Sequence, residues 1–370
     1  MRHESLPRIA AGRASVPSIR LLIVDDSLVA RTILSRTLAE HGAFEVVATA
    51  ARADEALRIL AEREVDIILL DVQMPGRDGI DALPELLAAS TGAHVVMVSA
   101  FCDDGASASV RAMTAGAADT LLKPDAGSFG GQFVTALTSR LLRIGRARRE
   151  SSPKSARSAL APALQAPLSL RAPVEGEVGC LAIGASTGGI HALAAFFAQL
   201  PRSLTVPILV TQHLPGSFMP YFAGQLRDMT GREARVAEEG MRVAPGMLIV
   251  APGDAHLVVT EGWGVPRILF DRSPSRSGCM PSVDPMLESV AALYGARGLA
   301  VVLSGMGRDG ALGALKLAMA GGEVIVQDAE SSVVWGMPGA TARAGAASLI
   351  APPARLADRV AARIAASGGR

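Results

Sequence analysis

A serine suited to nucleophilic chemistry lies near the middle of this sequence of 370 residues. Ser186 is the central residue of a G-x-S-x-G frame within the segment G-A-S-T-G-G at 184–189. The segment follows the apolar run 178–183, so the serine is predicted to lie at the end of a strand. Glycines at such a turn allow the sharp bend that exposes a nucleophilic hydroxyl.

A histidine and an aspartate that would complete such a site also follow predicted strands. His213 comes after the apolar run 206–211, and Asp309 lies in S-G-M-G-R-D-G at 304–310, after the apolar run 299–303. The carboxyl ends of parallel strands meet at one edge of a sheet, where α/β folds place their sites. The sequence therefore predicts that the three side chains converge there.

Together these residues predict a serine hydrolase. Serine alone is a poor nucleophile, so His213 would accept the proton of Ser186 and later return it to the leaving group. Asp309 would hold the imidazole in the required tautomer and stabilise the imidazolium. Backbone N–H groups near Thr187 and Met306 are the candidates for an oxyanion hole.

Other roles for these residues stay open at this point. Ser186, in a glycine-rich turn before a helix, is also compatible with a phosphate cradle, although no G-x-G-x-x-G or G-K-[ST] frame surrounds it. His256 competes with His213 as the base, and the sequence favours His213. Asp309 is also a candidate N-cap for the predicted helix 311–320, which is compatible with catalysis.

Four charged residues in the first third of the chain also lie at predicted strand ends. They are Asp25 and Asp26 after the run 19–24, Asp71 after 65–70, and Lys123 after 120–122. A hard cation such as Mg²⁺ prefers oxygen ligands, and a lysine can pair with a phosphoryl oxygen. The pattern predicts a Mg²⁺-assisted phospho-acceptor site. The alternative is a structural acid cluster, because Asp25 and Asp26 directly precede a helix.

Two stretches of alternating apolar runs and helical segments must position these residues, which predicts an α/β fold with parallel sheets. We expect an N-terminal extension over 1–18, a first doubly wound domain over 19–143, and a second over 178–366. Between them, residues 144–177 are rich in Ser, Ala, Pro and Arg, which predicts a flexible linker.

Composition excludes several classes of function. Lys plus Arg number 36 and Asp plus Glu 35, so the net charge of +1 does not favour nucleic acid. Cys102, Cys180 and Cys279 have neither metal-type spacing nor an obvious pairing, which favours a reducing cytoplasm. No apolar leader is present in 1–18, and the G-A-S-T-G-G bend interrupts the uncharged stretch 178–201, so we expect no membrane insertion.

Residues 19–143 resemble receiver domains of bacterial two-component response regulators, a flavodoxin-like fold. The resemblance rests on the acidic pair Asp25-Asp26, D-V-Q-M-P beginning at Asp71, Ser99, and the pair Lys123-Pro124. It implies that a histidine kinase phosphorylates Asp71, that Asp26 and Asp71 bind Mg²⁺ with Asp25 assisting through water, and that Ser99 and Lys123 bind the phosphoryl group. Thr120 stands where the family usually has an aromatic residue three positions before the lysine, and Phe101 is a candidate substitute for that residue.

Residues 178–366 resemble the Rossmann-like catalytic domain of CheB-type chemotaxis protein-glutamate methylesterases. The matching segments are I-G-A-S-T-G-G (183–189), T-Q-H (211–213), A-P-G-D-A-H (251–256), P-S-V-D (281–284), S-G-M-G-R-D-G (304–310) and Q-D-A-E-S-S-V-V-W-G-M-P (327–338). The resemblance implies demethylation of γ-glutamyl methyl esters on chemoreceptors, release of methanol, and deamidation of receptor glutamines. It also implies that the unphosphorylated receiver covers the site, and that the hydrolase needs no cofactor.

Two rival classes remain at the sequence level. One is a phospho-regulated binding module without activity, which the presence of Ser186, His213 and Asp309 argues against. The other is a response regulator acting on DNA, but no helix-turn-helix pattern follows the linker. Substrate choice is expected to lie in residues 271–280.

Overall fold

The computed structural model describes residues 18–99, 103–123, 131–151 and 168–367. These residues form two parallel sheets covered by helices, together with one separate antiparallel hairpin. The α/β class predicted from the sequence is therefore confirmed.

The first sheet is flavodoxin-like. Its five parallel strands are arranged in the order β2-β1-β3-β4-β5. The strands are β1 (Ile19–Val24), β2 (Phe44–Ala50), β3 (Ile67–Asp71), β4 (His94–Ser99) and β5 (Asp119–Leu122). The helices are α1 (Leu28–Glu40), α2 (Ala53–Glu62), α3 (Gly79–Ala89), α4 (Asp103–Thr114) and α5 (Gly131–Ser151).

Local sequence explains how this unit positions its acidic residues. Ser27 caps α1 by accepting a hydrogen bond from the N–H of Ala30, so the chain turns directly after the acidic pair. All residues of β3 are buried, as expected for a central parallel strand, and Asp71 is its last residue. α5 continues to Ser151, past the boundary expected at 143.

The second sheet has seven strands in the order β14-β13-β12-β6-β7-β9-β8. They are β6 (Cys180–Ala185), β7 (Ile208–Gln212), β8 (Ala234–Val236), β9 (Leu248–Val250), β12 (Gly298–Val302), β13 (Glu323–Gln327) and β14 (Leu349–Ala351), with the hairpin β10 (His256–Gly262) and β11 (Val265–Asp271) outside the sheet. The helices are α6 (Gly189–Gln199), α7 (Met219–Thr230), α8 (Val283–Tyr294), α9 (Ala311–Met319), α10 (Met337–Arg343) and α11 (Pro353–Ser367).

The strand order reverses between β6 and β12, so a topological switch point lies at their carboxyl ends. β10 lies outside the seven-stranded sheet: it pairs with β11, and this hairpin packs against α8. Strands β8 and β14 were not predicted, because runs of three residues carry too little periodicity.

The two units are in contact. α4 packs against α6 and α7, and its Val110 and Met113 belong to the same apolar cluster as Phe218 and Phe222. A second cluster combines Leu141 of α5 with residues of the loop that precedes α10. Among the helices of the described ranges, none is long and apolar enough to cross a membrane.

Candidate active site

His213 and Asp309 form the best-defined pair at the switch point. The Nε2 atom of His213, just after β7, lies 2.8 Å from Oδ2 of Asp309, which follows β12. Asp309 is almost fully buried, and its Oδ2 also accepts a hydrogen bond from the backbone N–H of Val283 at 2.7 Å. Its Oδ1 accepts one from Ser282 Oγ at 2.6 Å. The carboxylate is therefore held on both oxygens.

These contacts set the ionisation of the pair. Burial alone would lower the pKa of His213, but the hydrogen bond to Asp309 and the neighbouring Cys279 outweigh burial and raise it to about 9. Burial alone would raise the pKa of Asp309, but its contacts with His213, Ser282 and Val283 lower it to about 2. Asp309 is therefore anionic at neutral pH, and its charge stabilises the protonated form of His213.

Ser186 lies directly after β6, in the turn predicted from its glycines. Gly188 has φ +74°, and an added Cβ would lie 2.6 Å from Val333 and 2.8 Å from Ser304, so only glycine fits the turn. Gln212 Nε2 donates to the carbonyl of Ser186 at 2.9 Å and fixes the loop.

Ser186 and His213 line the same cavity of about 180 Å³, which also includes Thr187 and Met306. Within the described ranges, Ser186 Oγ makes no hydrogen bond to His213. Because Nε2 is held by Asp309, Nδ1 is the ring nitrogen left for the serine proton. Catalytic hydrogen bonds are often incomplete before substrate binds.

The competing base, His256, is committed elsewhere. It is fully buried, its Nε2 donates to the carbonyl of Ser273 at 2.9 Å, and its Nδ1 accepts from the N–H of Ser282 at 2.9 Å. With both nitrogens occupied, His256 has no nitrogen left for Ser186. It instead orients the residue that donates to Asp309.

The acidic residues of the first unit form a second cluster. One carboxylate oxygen from each of Asp25, Asp26 and Asp71 lies within 4.8 Å of the other two. Lys123 Nζ lies 2.7 Å from Asp71 and 2.8 Å from Asp25. Burial raises the pKa of Asp71, although the nearby Lys123 opposes this shift. The carboxylates of Asp25 and Asp71 raise the pKa of Lys123, although burial opposes that shift. This all-oxygen donor set fits Mg²⁺.

Three residues expected at or near this cluster lie wholly or partly outside the described structure. The backbone of Ser99 ends β4, but its side chain lies outside the described part of the chain. Phe101 and Pro124 also lie outside it. Thr120 is buried, and its hydroxyl donates to Ser109 of α4 at 3.0 Å. Where the family usually has an aromatic residue, a hydrogen bond thus joins β5 to α4.

The first unit reaches the cavity of Ser186 and His213 through β5. Thr187 Oγ1 donates to Asp119 Oδ2 at 3.1 Å, and the N–H of Gly188 donates to the carbonyl of Ala118 at 2.8 Å. We call this pair of hydrogen bonds the β5–α6 contact. Arg140 of α5 donates to Asp119 at 3.0 Å and lines the same cavity. The residues beside Ser186 are thus engaged by the first unit.

Several residues at the site were not singled out from the sequence. Ser282 and Gln212 lie within the segments P-S-V-D and T-Q-H, so their motifs were recognised but their roles were not. Cys279 gave no signal, because cysteine spacing along the chain does not reveal its position beside His213 and Asp309.

The fold and this geometry define a receiver-type unit joined to an α/β unit with a Ser-His-Asp arrangement. Residues 181–360 match the CheB methylesterase family, and residues 21–128 match the response regulator receiver domain. The chain is 42% identical over 350 residues to protein-glutamate methylesterase/protein-glutamine glutaminase 2 of Caulobacter vibrioides, covering 93% of this chain and 99% of that protein.

A second relative, protein-glutamate methylesterase/protein-glutamine glutaminase 1 of Paramagnetospirillum magneticum, is 39% identical over 357 residues, which cover 90% of this chain and 93% of that protein. The crystal structure of the Thermotoga maritima CheB methylesterase catalytic domain has 35% identity and a TM-score of 0.48, covering 51% of this chain and 99% of that one. The chain belongs to the CheB methylesterase family and carries a response regulator receiver domain.

Proposed function

We propose that this protein is a cytoplasmic, phosphorylation-activated protein-glutamate methylesterase of sensory adaptation. Its substrates are γ-glutamyl methyl esters of chemoreceptors, from which it releases methanol, and it also deamidates receptor glutamines. The observation that carries the proposal is one cavity that brings Ser186 and the Asp309-bound His213 together with Asp119 and Arg140 of the receiver. The names of the relatives supply the substrate class.

The chemistry follows from the proton positions. Neutral His213 accepts the Ser186 proton at Nδ1 as Ser186 Oγ attacks the ester carbonyl, and the imidazolium is stabilised by Asp309. The tetrahedral oxyanion is stabilised by backbone N–H groups at Thr187 and Met306. His213 then returns the proton to the leaving methoxide, which departs as methanol, or to the leaving amine in deamidation, which departs as ammonia. Water, activated by the same histidine, hydrolyses the acyl-enzyme and leaves glutamate.

The receiver would inhibit this chemistry by occupying the site. Its Asp119 and Ala118 engage Thr187 and Gly188, where the substrate carbonyl must bind. Asp119 is itself paired with Arg140 at 3.0 Å, so an ion pair fills this position. Release of the β5–α6 contact would therefore open the cavity.

Phosphorylation of Asp71 by a sensor histidine kinase would cause that release. Mg²⁺, when bound by Asp25, Asp26 and Asp71, would neutralise charge on the incoming phosphoryl group. Lys123, now paired with Asp71 and Asp25, would exchange a carboxylate for a phosphoryl oxygen, with Ser99 as a further donor. The hydrogen bond between Thr120 and Ser109 would carry the change from β5 to α4, which packs on α6 and α7.

Methanol release from a methylated receptor fragment tests this proposal. The full chain is assayed with Mg²⁺, with and without a small-molecule phosphodonor, beside Ser186→Ala and Asp71→Asn. We expect phosphodonor to stimulate wild type but not Asp71→Asn, and Ser186→Ala to release no methanol.

The outcomes separate the two halves of the proposal. An active Ser186→Ala protein would contradict the nucleophile assignment. Equal stimulation of Asp71→Asn would contradict the regulatory half while leaving the esterase intact. Receptor binding without methanol release from any variant would favour the binding module.

A further inference from the structure

One thiol lies beside the catalytic pair without a part in the proposed reaction. Cys279 offers Sγ within 4.8 Å of a ring nitrogen of His213 and a carboxylate oxygen of Asp309. Cys279 and His213 are both partly exposed, whereas Asp309 is buried. The three donors come from separate loops, one after β7, one before α8 and one after β12.

Both backbone groups of Cys279 form hydrogen bonds within its loop. Ser275 Oγ donates to the carbonyl of Cys279 at 2.9 Å, and the N–H of Cys279 donates to Ser277 Oγ at 3.3 Å. Ser277 in turn donates to Ser282, the residue that holds Asp309, at 3.4 Å. The backbone of Cys279 is thus linked to the Asp309 carboxylate through the hydroxyl groups of Ser277 and Ser282.

We propose that His213, Cys279 and Asp309 form an inhibitory site for a thiophilic divalent cation such as Zn²⁺. Thiolate sulfur, imidazole nitrogen and carboxylate oxygen are the ligands of zinc sites, and three protein ligands leave a fourth position for water or Ser186. Donors around a tetrahedral zinc lie roughly 3.3–3.8 Å apart given its bond lengths. The donor atoms here lie at most 4.8 Å apart, and His213 Nε2 is 2.8 Å from Asp309 Oδ2. Zinc binding therefore requires this pair to separate by roughly 0.5 Å and Cys279 Sγ to approach by about 1 Å or less.

Occupation of this site stops the reaction proposed above, on which the inhibitory part of the inference rests. The cation binds His213 Nε2, the nitrogen that faces Asp309, in place of the proton there. The imidazole then keeps a proton on Nδ1 and has no lone pair to accept the Ser186 proton. The displaced Nε2 proton and the thiol proton are released to solvent. The two ligand clusters found among the described residues also select different ions. The carboxylates of Asp25, Asp26 and Asp71 suit Mg²⁺, whereas the mixed nitrogen, sulfur and oxygen set does not. Excess Mg²⁺ therefore does not relieve inhibition by Zn²⁺.

Cobalt absorption tests binding without reference to catalysis. Co²⁺ is titrated into the full chain in excess Mg²⁺, and a thiolate-to-cobalt charge-transfer band is recorded for wild type, Cys279→Ser and Cys102→Ser. We expect the band in wild type and in Cys102→Ser, and its loss in Cys279→Ser. Cys180 is fully buried in β6 and supplies no ligand. Absence of the band in wild type, or its persistence in Cys279→Ser, overturns the site.

Inhibition is then measured as methanol release in increasing Zn²⁺, each variant relative to its own rate without zinc. We expect the half-inhibiting zinc concentration to rise about tenfold or more in Cys279→Ser, since even outer partners of metal ligands contribute that much affinity. A chelator should restore the wild-type rate. Equal zinc sensitivity of the two proteins, or inhibition that a chelator does not reverse, contradicts the proposal. If no protein releases methanol, the proposed function has failed, and the cobalt band still decides the site.

Discussion

Asp119 Oδ2 lies 3.1 Å from Thr187 Oγ1, and this hydrogen bond joins the last strand of the receiver sheet to the residue after the candidate nucleophile. The contact is flanked by the 2.8 Å hydrogen bond between the N–H of Gly188 and the carbonyl of Ala118. The receiver thus contacts the amino end of α6, where the proposed oxyanion would be stabilised.

Asp119→Ala tests the β5–α6 contact. A hydrogen bond to a charged group contributes about 1.5–3 kcal/mol, and each 1.4 kcal/mol corresponds to tenfold in an equilibrium. We expect methanol release without phosphodonor to rise about tenfold, and the additional stimulation by phosphodonor to shrink. The matched control is Asp54→Ala, an exposed acid in the first turn of α2, which should leave both rates unchanged. If Asp119→Ala released methanol at the wild-type rate without phosphodonor, this contact would not restrain the enzyme.

Much of the site could be predicted because strand ends and glycine turns are visible in sequence. Ser186, His213 and Asp309 each follow a buried strand, so topology alone brings them to the switch point. The positions of Ser282 and Cys279 could not be derived in this way. Their loop has no periodicity, and its path is set by hydroxyl hydrogen bonds to Asp309 and between neighbouring serines. The sequence favours His213 over His256, but it does not show that both ring nitrogens of His256 are already occupied.

The hydrolase unit is expected to depend on a buried charge cluster. Glu323 at the start of β13 is 3.0 Å from Arg363 and 2.9 Å from Arg359, and both Glu323 and Arg363 are at most 1% exposed. Glu323→Gln removes the carboxylate charge that buried Arg363 faces, whereas Arg359 keeps Glu175 at 3.5 Å. We expect a loss of about 3–5 kcal/mol in the free energy of unfolding, measured by urea denaturation with fluorescence of Trp335, which is partly buried in this unit.

The control for this variant is Glu288→Gln. Glu288 pairs with Lys316 at 2.7 Å, but both side chains are exposed, so the expected loss is below about 1 kcal/mol. Similar urea midpoints for the two variants would contradict a special role for the buried cluster.

Ser282 is predicted to be a positioning residue. Its hydroxyl donates to Asp309 Oδ1 at 2.6 Å, and it does not contact the serine nucleophile among the described hydrogen bonds. Ser282→Ala should lower kcat about tenfold, in line with loss of a hydrogen bond to a charged group, with little change in KM. Ser282→Thr retains the hydroxyl and should restore most of kcat. An equal loss in both variants, or a change confined to KM, would indicate a different role.

The pH dependence of the esterase should report on His213. Its pKa is raised to about 9, and the protonated imidazolium cannot accept the serine proton, so kcat/KM should rise with pH through about 9. Cys279→Ala removes one of the contacts that raise this pKa, so the rising limb should shift to lower pH. The measurement is kcat/KM for methanol release between pH 6 and about 10, with phosphodonor present. Cys102→Ala, which replaces another of the thiols in the sequence, should leave the limb in place. If the rising limb stayed at the same pH in Cys279→Ala, His213 would titrate independently of this thiol. If the profile were flat above pH 7, His213 would not be the base.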